Sequence, residues 1–175
     1  MLEKPEEIDR LSEIAAAADC AMVARGDLGV ELGAEKVPIV QKRVIRELNR
    51  RGKLVITATQ MLDSMMRNPR PTRAEAADVA NAVLDGTDAV MLSGETASGT
   101  YPLESVRMMD SIVREVERSW LGQKGAGLGG EDLIGDWDFP NAAARAAALV
   151  SRVLPLGAIV TFTKDGRSAK LLSDY

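Results

Sequence analysis

KLVITAT, residues 53–59, decides the fold, because its β-branched and apolar residues favour a short β-strand. Two similar runs flank it, CAMVA at residues 20–24 and DAVML at residues 88–92. The centres of the three runs lie 33 and then 34 residues apart. Strands that recur at this spacing, with helical patterns between them, predict βαβ units and a parallel sheet.

Each run is followed by a loop and then by a helical pattern. The first helix is predicted over EKVPIVQKRVIRELNRR, residues 35–51, with Gly52 as its C-terminal stop. The second begins with a capping box, Thr72–Glu75, and closes at Gly86. The third is predicted from Pro102 to about Trp120, since proline favours the first turn of a helix.

The beginning of the chain adds part of one more unit. EEIDRLSEIAAAA, residues 6–18, has the pattern of a helix, and MLE before it resembles the tail of a strand. A barrel of eight such units needs about 250 residues. Three units and a remnant of a fourth therefore predict an α/β fold, with the closing part of a TIM (β/α)8 barrel over residues 1–120.

The composition changes beyond that point. Residues 121–138 are rich in glycine and acids, which predicts a linker. Residues 139–175 contain a helical pattern at 140–154, a β-prone run, AIVTFT, at 158–163, and then GRSAKLLSDY, the opening turns of another helix. This segment is too short to bury a core of its own. We therefore expect it to be the start of a second, incomplete α/β domain.

Polar residues stand at or just past the predicted strand ends: Glu3, Asp27, Thr59 and Ser93. The C-terminal ends of parallel barrel strands share one rim, where catalytic groups lie. Two carboxylates there suit an octahedral Mg²⁺, and backbone amides at Ala24–Gly26 suit an anionic carboxyl group. Asp and Ser are also common turn residues, so each taken singly has a purely structural explanation.

Composition excludes several classes of function. The 175 residues contain no histidine and a single cysteine, which removes Ser-His-Asp catalysis and the common zinc sites. The net charge of −4 and 3% aromatic content argue against a nucleic-acid partner. No apolar run is long enough for a transmembrane helix or a signal peptide. We expect a cytoplasmic protein without a membrane partner.

Longer motifs carry a specific resemblance. VARGDLGVELGAEKVPIVQK (23–42) and ITATQMLDSMMRNPRPTRAEAADVANAVLDGTDAVMLSGETASGTYP (56–102) closely resemble the pyruvate kinase family. The resemblance runs almost without gaps from about Glu3 to Glu117 and resumes from about Asn141 to the end. It implies a phosphotransferase of glycolysis that moves the phosphoryl group of phosphoenolpyruvate to ADP, giving pyruvate and ATP.

The resemblance also implies residue roles. Glu3 and Asp27 match the ligands of Mg²⁺ (or Mn²⁺), and the segment Ala24, Arg25, Gly26 matches the backbone that meets the substrate carboxylate. Thr59 matches a catalytic threonine that also binds substrate, near the carbon that is protonated. Ser93, with Glu95 beside it, has a supporting catalytic role. The family's K⁺ site lies mostly outside this chain.

The resemblance also implies an interface between subunits. In the family, Arg25, Arg70 and Arg73 lie near an interface between barrels, which implies a homo-oligomer, usually a tetramer.

At the other end, Thr163, Arg167 and Ser168 match a loop that binds the phosphate of an effector at a helix N-terminus. Asp165 stands there in place of the usual serine, and its carboxylate would repel phosphate. We therefore expect little effector binding through this loop.

One departure bears on activity. The family's Lys-Ile-Glu motif is Met1-Leu2-Glu3 here. The family's lysine stabilises the transferring phosphoryl group, and Met1 stands in its place here. Loss of such a preorganised cation at the transition state costs about 3 kcal/mol or more, which is at least a hundredfold in rate. We therefore expect a truncated or fragment chain that is inactive in isolation. The alternative is a non-catalytic, pyruvate-kinase-like remnant that acts as a binding or assembly module.

Overall fold

A computed structural model describes residues 1–122 and 139–173. The chain divides into two compact units, Met1–Ser119 and Trp120–Tyr175. The predicted linker at 121–138 lies almost entirely outside the described residues.

The first unit alternates strands and helices, as the spacing of the β-prone runs predicts. Its strands are β1 (Cys20–Ala24), β2 (Leu54–Ala58) and β3 (Ala89–Met91). Its helices are α1 (Pro5–Asp9), α2 (Leu11–Ala17), α3 (Arg25–Leu32), α4 (Val37–Asn49), α5 (Arg73–Leu84), α6 (Gly94–Ala97) and α7 (Pro102–Gly122), the last ending in the second unit, with a 3₁₀ turn at Asp63–Met66.

The three strands form one parallel sheet in the order β1-β2-β3. Ala24 pairs with Ala58, which pairs with Met91, so the three strands end side by side. Leu2 adds an isolated parallel bridge to Val23 at the free edge of β1. This sheet, with helices in its crossovers, confirms the α/β class and the predicted strand remnant at the start of the chain.

The core of the first unit lies between the sheet and helices α1–α4. Its cluster of buried side chains draws on every one of these elements: Leu2, Ile8, Leu11, Ala15, Ala21, Val23, Leu28, Val44, Ile45, Leu48 and Val55. A second cluster joins the 3₁₀ turn to α5 and α7 through Met61, Leu62, Met65, Val79, Ala82 and Met109. Burial of these side chains is what holds the short helices in place, since helices of this length are marginal alone.

Helix ends follow the local signals closely. The Thr72 hydroxyl accepts a hydrogen bond from the Glu75 amide, so the predicted capping box is present. Gly52 and Gly86 have φ values of +61° and +92°, which glycine adopts at little cost after a helix.

Two predictions of local structure were wrong, and one predicted helix begins two residues later than expected. The helix predicted over 6–18 is two helices, α1 and α2, because Arg10 leaves the helical region at φ −100°, ψ 18°. The helix predicted from residue 35 begins only at Val37. The loop predicted after β1 is helix α3, which the fully buried Leu28 anchors to the core.

Over residues 139–173 the second unit forms helices α8 (Phe139–Val153) and α9 (Arg167–Ser173), which match the helical patterns of the sequence. The strand predicted at 158–163 does not form, and Val160 and Phe162 are exposed. A β-prone run becomes a strand only where a neighbouring strand completes its hydrogen-bond ladder. No described residue of this unit supplies such a partner.

Across residues 1–122 and 139–173, no helix combines the length and apolarity needed to cross a membrane.

Candidate active site

The C-terminal ends of the strands bring the predicted site residues to one rim. Since Leu2 pairs with Val23, the next residue, Glu3, stands beside the end of β1. Thr59 directly follows β2, whose last residue pairs with the last residues of β1 and β3. Ser93 follows β3 by two residues. Asp27 lies in the first turn of α3, which directly follows β1. The register therefore places residues from four chain segments at one edge of the sheet.

The two predicted metal ligands differ in setting. Glu3 is half-buried, and Asp27 is exposed in the first turn of α3. A carboxylate in that turn is favoured by the helix dipole. Neither carboxylate accepts a hydrogen bond or forms an ion pair within residues 1–122 and 139–173. They are thus available to an external cation.

The carboxylates of Glu3 and Asp27 suit a metal ion that prefers oxygen ligands. Among the described residues, no group of three or more Cys, Asp or Glu side chains is arranged to hold an ion. Two carboxylates without protein partners suit Mg²⁺ or Mn²⁺, which take one or two carboxylates and fill the remaining positions with water and substrate oxygens. A closed protein cage of the structural zinc type is absent from this part of the chain.

The predicted amide site at Ala24–Gly26 is largely occupied by internal hydrogen bonds. The amide of Ala24 donates to Leu2 O at 3.2 Å, and that of Gly26 donates to Thr59 Oγ1 at 2.7 Å. The strand bridge and the Thr59 hydroxyl thus use two of these amides, and the predicted contact of this backbone segment with a carboxylate stays a prediction. The Thr59 hydroxyl keeps its own proton to donate.

Thr59 has an unusual backbone. It and Gln60 have φ values of +67° and +54°, and within the described residues they alone, apart from glycines, lie in the left-handed region. For a β-branched residue this conformation is rare and costs about 1–3 kcal/mol. Strain of this size persists only where surrounding contacts hold it.

Those contacts come from Arg25. Its side chain is only 7% exposed. Nη2 donates to the carbonyl oxygens of Thr59 at 2.9 Å and Gln60 at 3.3 Å, and Nε also donates to Thr59 O. Nη1 donates to Gln41 Oε1 and lies 2.7 Å from a carboxylate oxygen of Asp78. The guanidinium of Arg25 is thus used by internal partners, and the predicted substrate contact of this residue, which concerns its backbone, stays a prediction.

Glu95 ties together the loops after β2 and β3. It is 2% exposed, and its carboxylate accepts the amide of Leu62 at 3.0 Å and that of Ser93 at 2.9 Å. It therefore fixes the backbone of Ser93 at the rim. Sequence reasoning placed Glu95 beside the site but did not find its partner Leu62.

Glu75 forms a clamp that joins the 3₁₀ turn to the start of α5, on either side of the Arg-rich loop at 67–73. Besides closing the capping box, it accepts hydrogen bonds from the amide and hydroxyl of Ser64, at 2.7 and 2.6 Å. Burial raises the pKa of Glu75, but the hydrogen bonds from Ser64 and Thr72 outweigh it and hold the pKa below its ordinary value. This clamp fixes both ends of the loop that carries Arg70 and Arg73.

The clamp predicts a pH dependence. Glu75 has a lower pKa in the folded than in the unfolded chain, so its contribution is complete above the ordinary value of 4.5 and is lost as the pH falls through the folded value. Glu75→Gln is expected to lower the free energy of unfolding by about 1–2 kcal/mol at neutral pH. The difference from the wild type should shrink in progressively more acidic buffers, as measured by urea denaturation.

Glu104→Gln serves as the matched control, since Glu104 is an exposed acid in the first turn of α7. That change is expected to alter stability by less than about 0.5 kcal/mol. A difference between Glu75→Gln and wild type that stays constant with pH would contradict the assignment.

The predicted effector loop belongs to the second unit and is exposed throughout. The Gly166 amide donates to the Thr163 hydroxyl at 2.9 Å, and the Arg167 amide donates to Asp165 Oδ1 at 3.1 Å. Asp165 therefore caps the start of α9 with its own carboxylate. Ser168 lies in the first turn of that short helix. The Arg167 amide is therefore already paired with an internal carboxylate, and weak effector binding through this loop stays a prediction.

Comparisons with known proteins agree with one another. The family model "Pyruvate kinase, barrel domain" matches residues 1–106. The pyruvate kinase of Bacillus licheniformis is 49% identical over 174 residues, which cover 99% of this chain and 29% of that protein. The pyruvate kinase of Clostridium perfringens is 47% identical over 182 residues, with 99% and 37% covered.

The pyruvate kinase of Staphylococcus aureus (strain USA300) is 51% identical over 174 residues, again 99% of this chain and 29% of that protein. The chain spans about a third of the length of the curated relatives it matches.

Proposed function

Because this chain belongs to the pyruvate kinase family, we propose that it supplies one side of the active site that transfers the phosphoryl group of phosphoenolpyruvate to ADP. The reaction gives pyruvate and ATP in glycolysis. The observation that supports this proposal is the shared rim, where strand register gathers Glu3, Asp27 and Thr59. A reaction governed by positioning and charge neutralisation needs no histidine, and this chain has none.

The proposal includes an assignment of the chain's segments. Residues 1–120 form the last strands and helices of the catalytic barrel, 121–138 a linker, and 139–175 the start of the C-terminal domain. Parallel strands separated by helices support the first assignment. The exposed apolar run at 158–163 suits a strand of a larger sheet, since Val160 and Phe162 find no burial within the described part of their unit.

Glu3 and Asp27 are the proposed ligands of Mg²⁺ or Mn²⁺. When bound, such an ion supplies charge stabilisation for the phosphoryl and carboxylate oxygens of the substrate. The contribution of the chain is to hold two acids at neighbouring strand ends, one on the strand remnant and one on α3. The family's K⁺ site is assigned to parts of the relatives that this chain does not span.

Thr59 is the proposed contact to the substrate. Its hydroxyl accepts from the Gly26 amide, so its own proton points to a different acceptor. We assign that proton to the carboxylate of phosphoenolpyruvate, next to the Ala24–Gly26 backbone that the resemblance matches to the same group. Ser93 stands on the adjacent strand end, held by Glu95, and has a supporting role.

The wider context belongs to the same proposal. We propose a cytoplasmic homo-oligomer, with the Arg-rich loop at 67–73 at an interface between barrels. The fixed ends of that loop at Ser64 and Glu75, and the exposure of Arg70 and Arg73, suit a contact surface. Phosphoenolpyruvate and ADP are the small-molecule partners.

The test measures metal binding by the chain itself. Titration with Mn²⁺, followed by the loss of the electron paramagnetic resonance signal of the free ion, is repeated with phosphoenolpyruvate present. We expect Asp27→Asn to weaken Mn²⁺ binding by about tenfold to a hundredfold, because the change removes a charged ligand oxygen.

Glu31→Gln is the matched control, since Glu31 is an exposed carboxylate on the same helix, four residues and about one turn beyond Asp27. It should bind Mn²⁺ as the wild type does. Equal affinities of the two variants, or no saturable Mn²⁺ binding by the wild-type chain, would refute the assignment of the metal site.

A further inference from the structure

Two consecutive left-handed residues at the rim need an external cause. Their own chemistry does not favour the conformation, because neither Thr59 nor Gln60 is glycine. The hydrogen bond from Gly26 holds only the side chain of Thr59. What fixes the backbone is the Arg25 guanidinium, whose Nη2 group bridges the carbonyl oxygens of both residues. The left-handed turn therefore depends on the position of Arg25.

Arg25 in turn needs a counter-charge. A guanidinium that is nearly fully buried is costly unless it is paired with an anion. Its carbonyl, amide and thioether partners, including Gln41 Oε1 and Met61 Sδ, are all neutral. The anion is Asp78, whose two oxygens lie 2.7 and 2.8 Å from Nη1. Asp78 reaches it from α5, 53 residues along the chain.

We propose that Asp78 is a positioning residue that holds Thr59 in its left-handed conformation by keeping the Arg25 guanidinium buried. Among the described residues Asp78 forms no hydrogen bond or ion pair with Thr59 or with either predicted metal ligand, so its effect passes through Arg25. The inference rests on the proposed function only for its consequence, that the Thr59 hydroxyl is aimed at substrate. The conformational effect itself does not depend on any ligand.

The contacts of Arg25 indicate how loss of the Asp78 charge would change the backbone of Thr59. When residue 78 loses its charge, the guanidinium retains only neutral acceptors, and moving toward water becomes favourable. That movement withdraws Nη2 from the carbonyl groups of Thr59 and Gln60. The backbone then relaxes from the left-handed region, which for threonine is the strained one.

The experiment reads the backbone of Thr59 directly, in the full chain labelled with ¹⁵N- and ¹³C-threonine. A left-handed residue gives a strong nuclear Overhauser effect between its own amide proton and Hα. We expect this signal at Thr59 in the wild type, its loss in Asp78→Asn, and its return in Asp78→Glu, which restores the charge. Asp110→Asn is the control, since it removes an equally short ion pair, with Arg114, on an exposed helix face.

Persistence of the strong signal in Asp78→Asn overturns the proposal, as does its loss in Asp110→Asn. Folding is monitored in the same spectra through Thr57 and Thr87, whose hydroxyl groups pair at 3.0 Å beside the sheet. If Asp78→Asn unfolds, Arg25→Lys is measured instead, because the one nitrogen of lysine keeps the charge but cannot pair with Asp78 while it also bridges both carbonyls, as Nη1 and Nη2 do together. A left-handed Thr59 in that variant then overturns the proposal.

Binding of phosphoenolpyruvate, measured in parallel by calorimetry with Mg²⁺ present, separates the two hypotheses. The substrate assignment fails if the wild-type chain does not bind, whereas the positioning proposal is judged by the signal of Thr59 alone. If the substrate assignment and the positioning proposal are both correct, Asp78→Asn should weaken phosphoenolpyruvate binding at least tenfold. Asp78→Glu should then recover most of the lost affinity.

Discussion

Arg25→Met is expected to lower the free energy of unfolding of the first unit by about 3–5 kcal/mol. Methionine fills much of the volume of the side chain but donates no hydrogen bond. The change leaves the Gln41 side chain and the carbonyl groups of Thr59 and Gln60 without their donor. The buried Gln41 oxygen and the half-buried Thr59 carbonyl each cost about 1–3 kcal/mol when left unsatisfied, whereas Gln60 is exposed and water can replace its donor. Asp78 adds less, since it is 39% exposed and water can solvate it.

Urea denaturation followed by circular dichroism measures this loss. The matched control is Arg114→Met, which removes an arginine from an ion pair that is exposed on both sides, in the middle of α7. Exposed pairs contribute little, so we expect a change of less than about 0.5–1 kcal/mol. Similar losses in the two variants would show that Arg25 is an ordinary surface cation, contrary to its burial.

The second large effect is expected in α3, for Leu28→Ala. Leu28 is fully buried in the cluster that joins the sheet to α1–α4. Truncation to alanine removes apolar contacts and leaves a cavity, and such changes cost about 2–5 kcal/mol. Val30→Ala, on the same helix, is the control, because Val30 is 85% exposed and its truncation should cost under about 0.5 kcal/mol.

The measurement for α3 is again the urea midpoint, with the slope of the transition as a check that the folded states remain comparable. If Leu28→Ala and Val30→Ala lose the same stability, the helix is held by local interactions and not by its buried leucine. The result also bears on the metal site, because Asp27 precedes Leu28 on the same turn. Loosening that turn should weaken Mn²⁺ binding even though every proposed ligand is present.

Sequence reasoning succeeded where the signal is local. The three β-prone runs, the capping box at Thr72–Glu75 and the glycines that end helices each depend on a few adjacent residues, and each formed as predicted. Spacing between the runs then sufficed for a parallel sheet, because a crossover of that length has room for one helix.

Two elements were misjudged because tertiary contacts decided them. Arg-Gly-Asp-Leu-Gly has the composition of a turn, yet it is helical, since burying Leu28 outweighs the low helix propensity of its glycines. The opposite holds at 158–163, where high β-propensity gave no strand because no described neighbour completes the ladder.

The candidate site shows the same limit. Strand ends located Glu3, Asp27 and Thr59 from sequence, since the end of a run is a local property. The partners that fix the geometry are distant in the chain: Asp78 lies 53 residues from Arg25, and Leu62 lies 33 residues from Glu95. The spacing of apolar residues along the chain does not indicate which distant residues form such pairs. The left-handed backbone of Thr59 was likewise invisible, because it is imposed by those contacts against the preference of the residue.

The buried carboxylate of Glu95 has a consequence for motion at the rim. It is the common acceptor for one amide in the loop after β2 and one in the loop after β3. Neither loop can open alone without leaving a charged oxygen short of a donor in a low-dielectric interior. We therefore expect the two loops to fluctuate together, and amide hydrogen exchange at Leu62 and Ser93 to report one shared opening free energy.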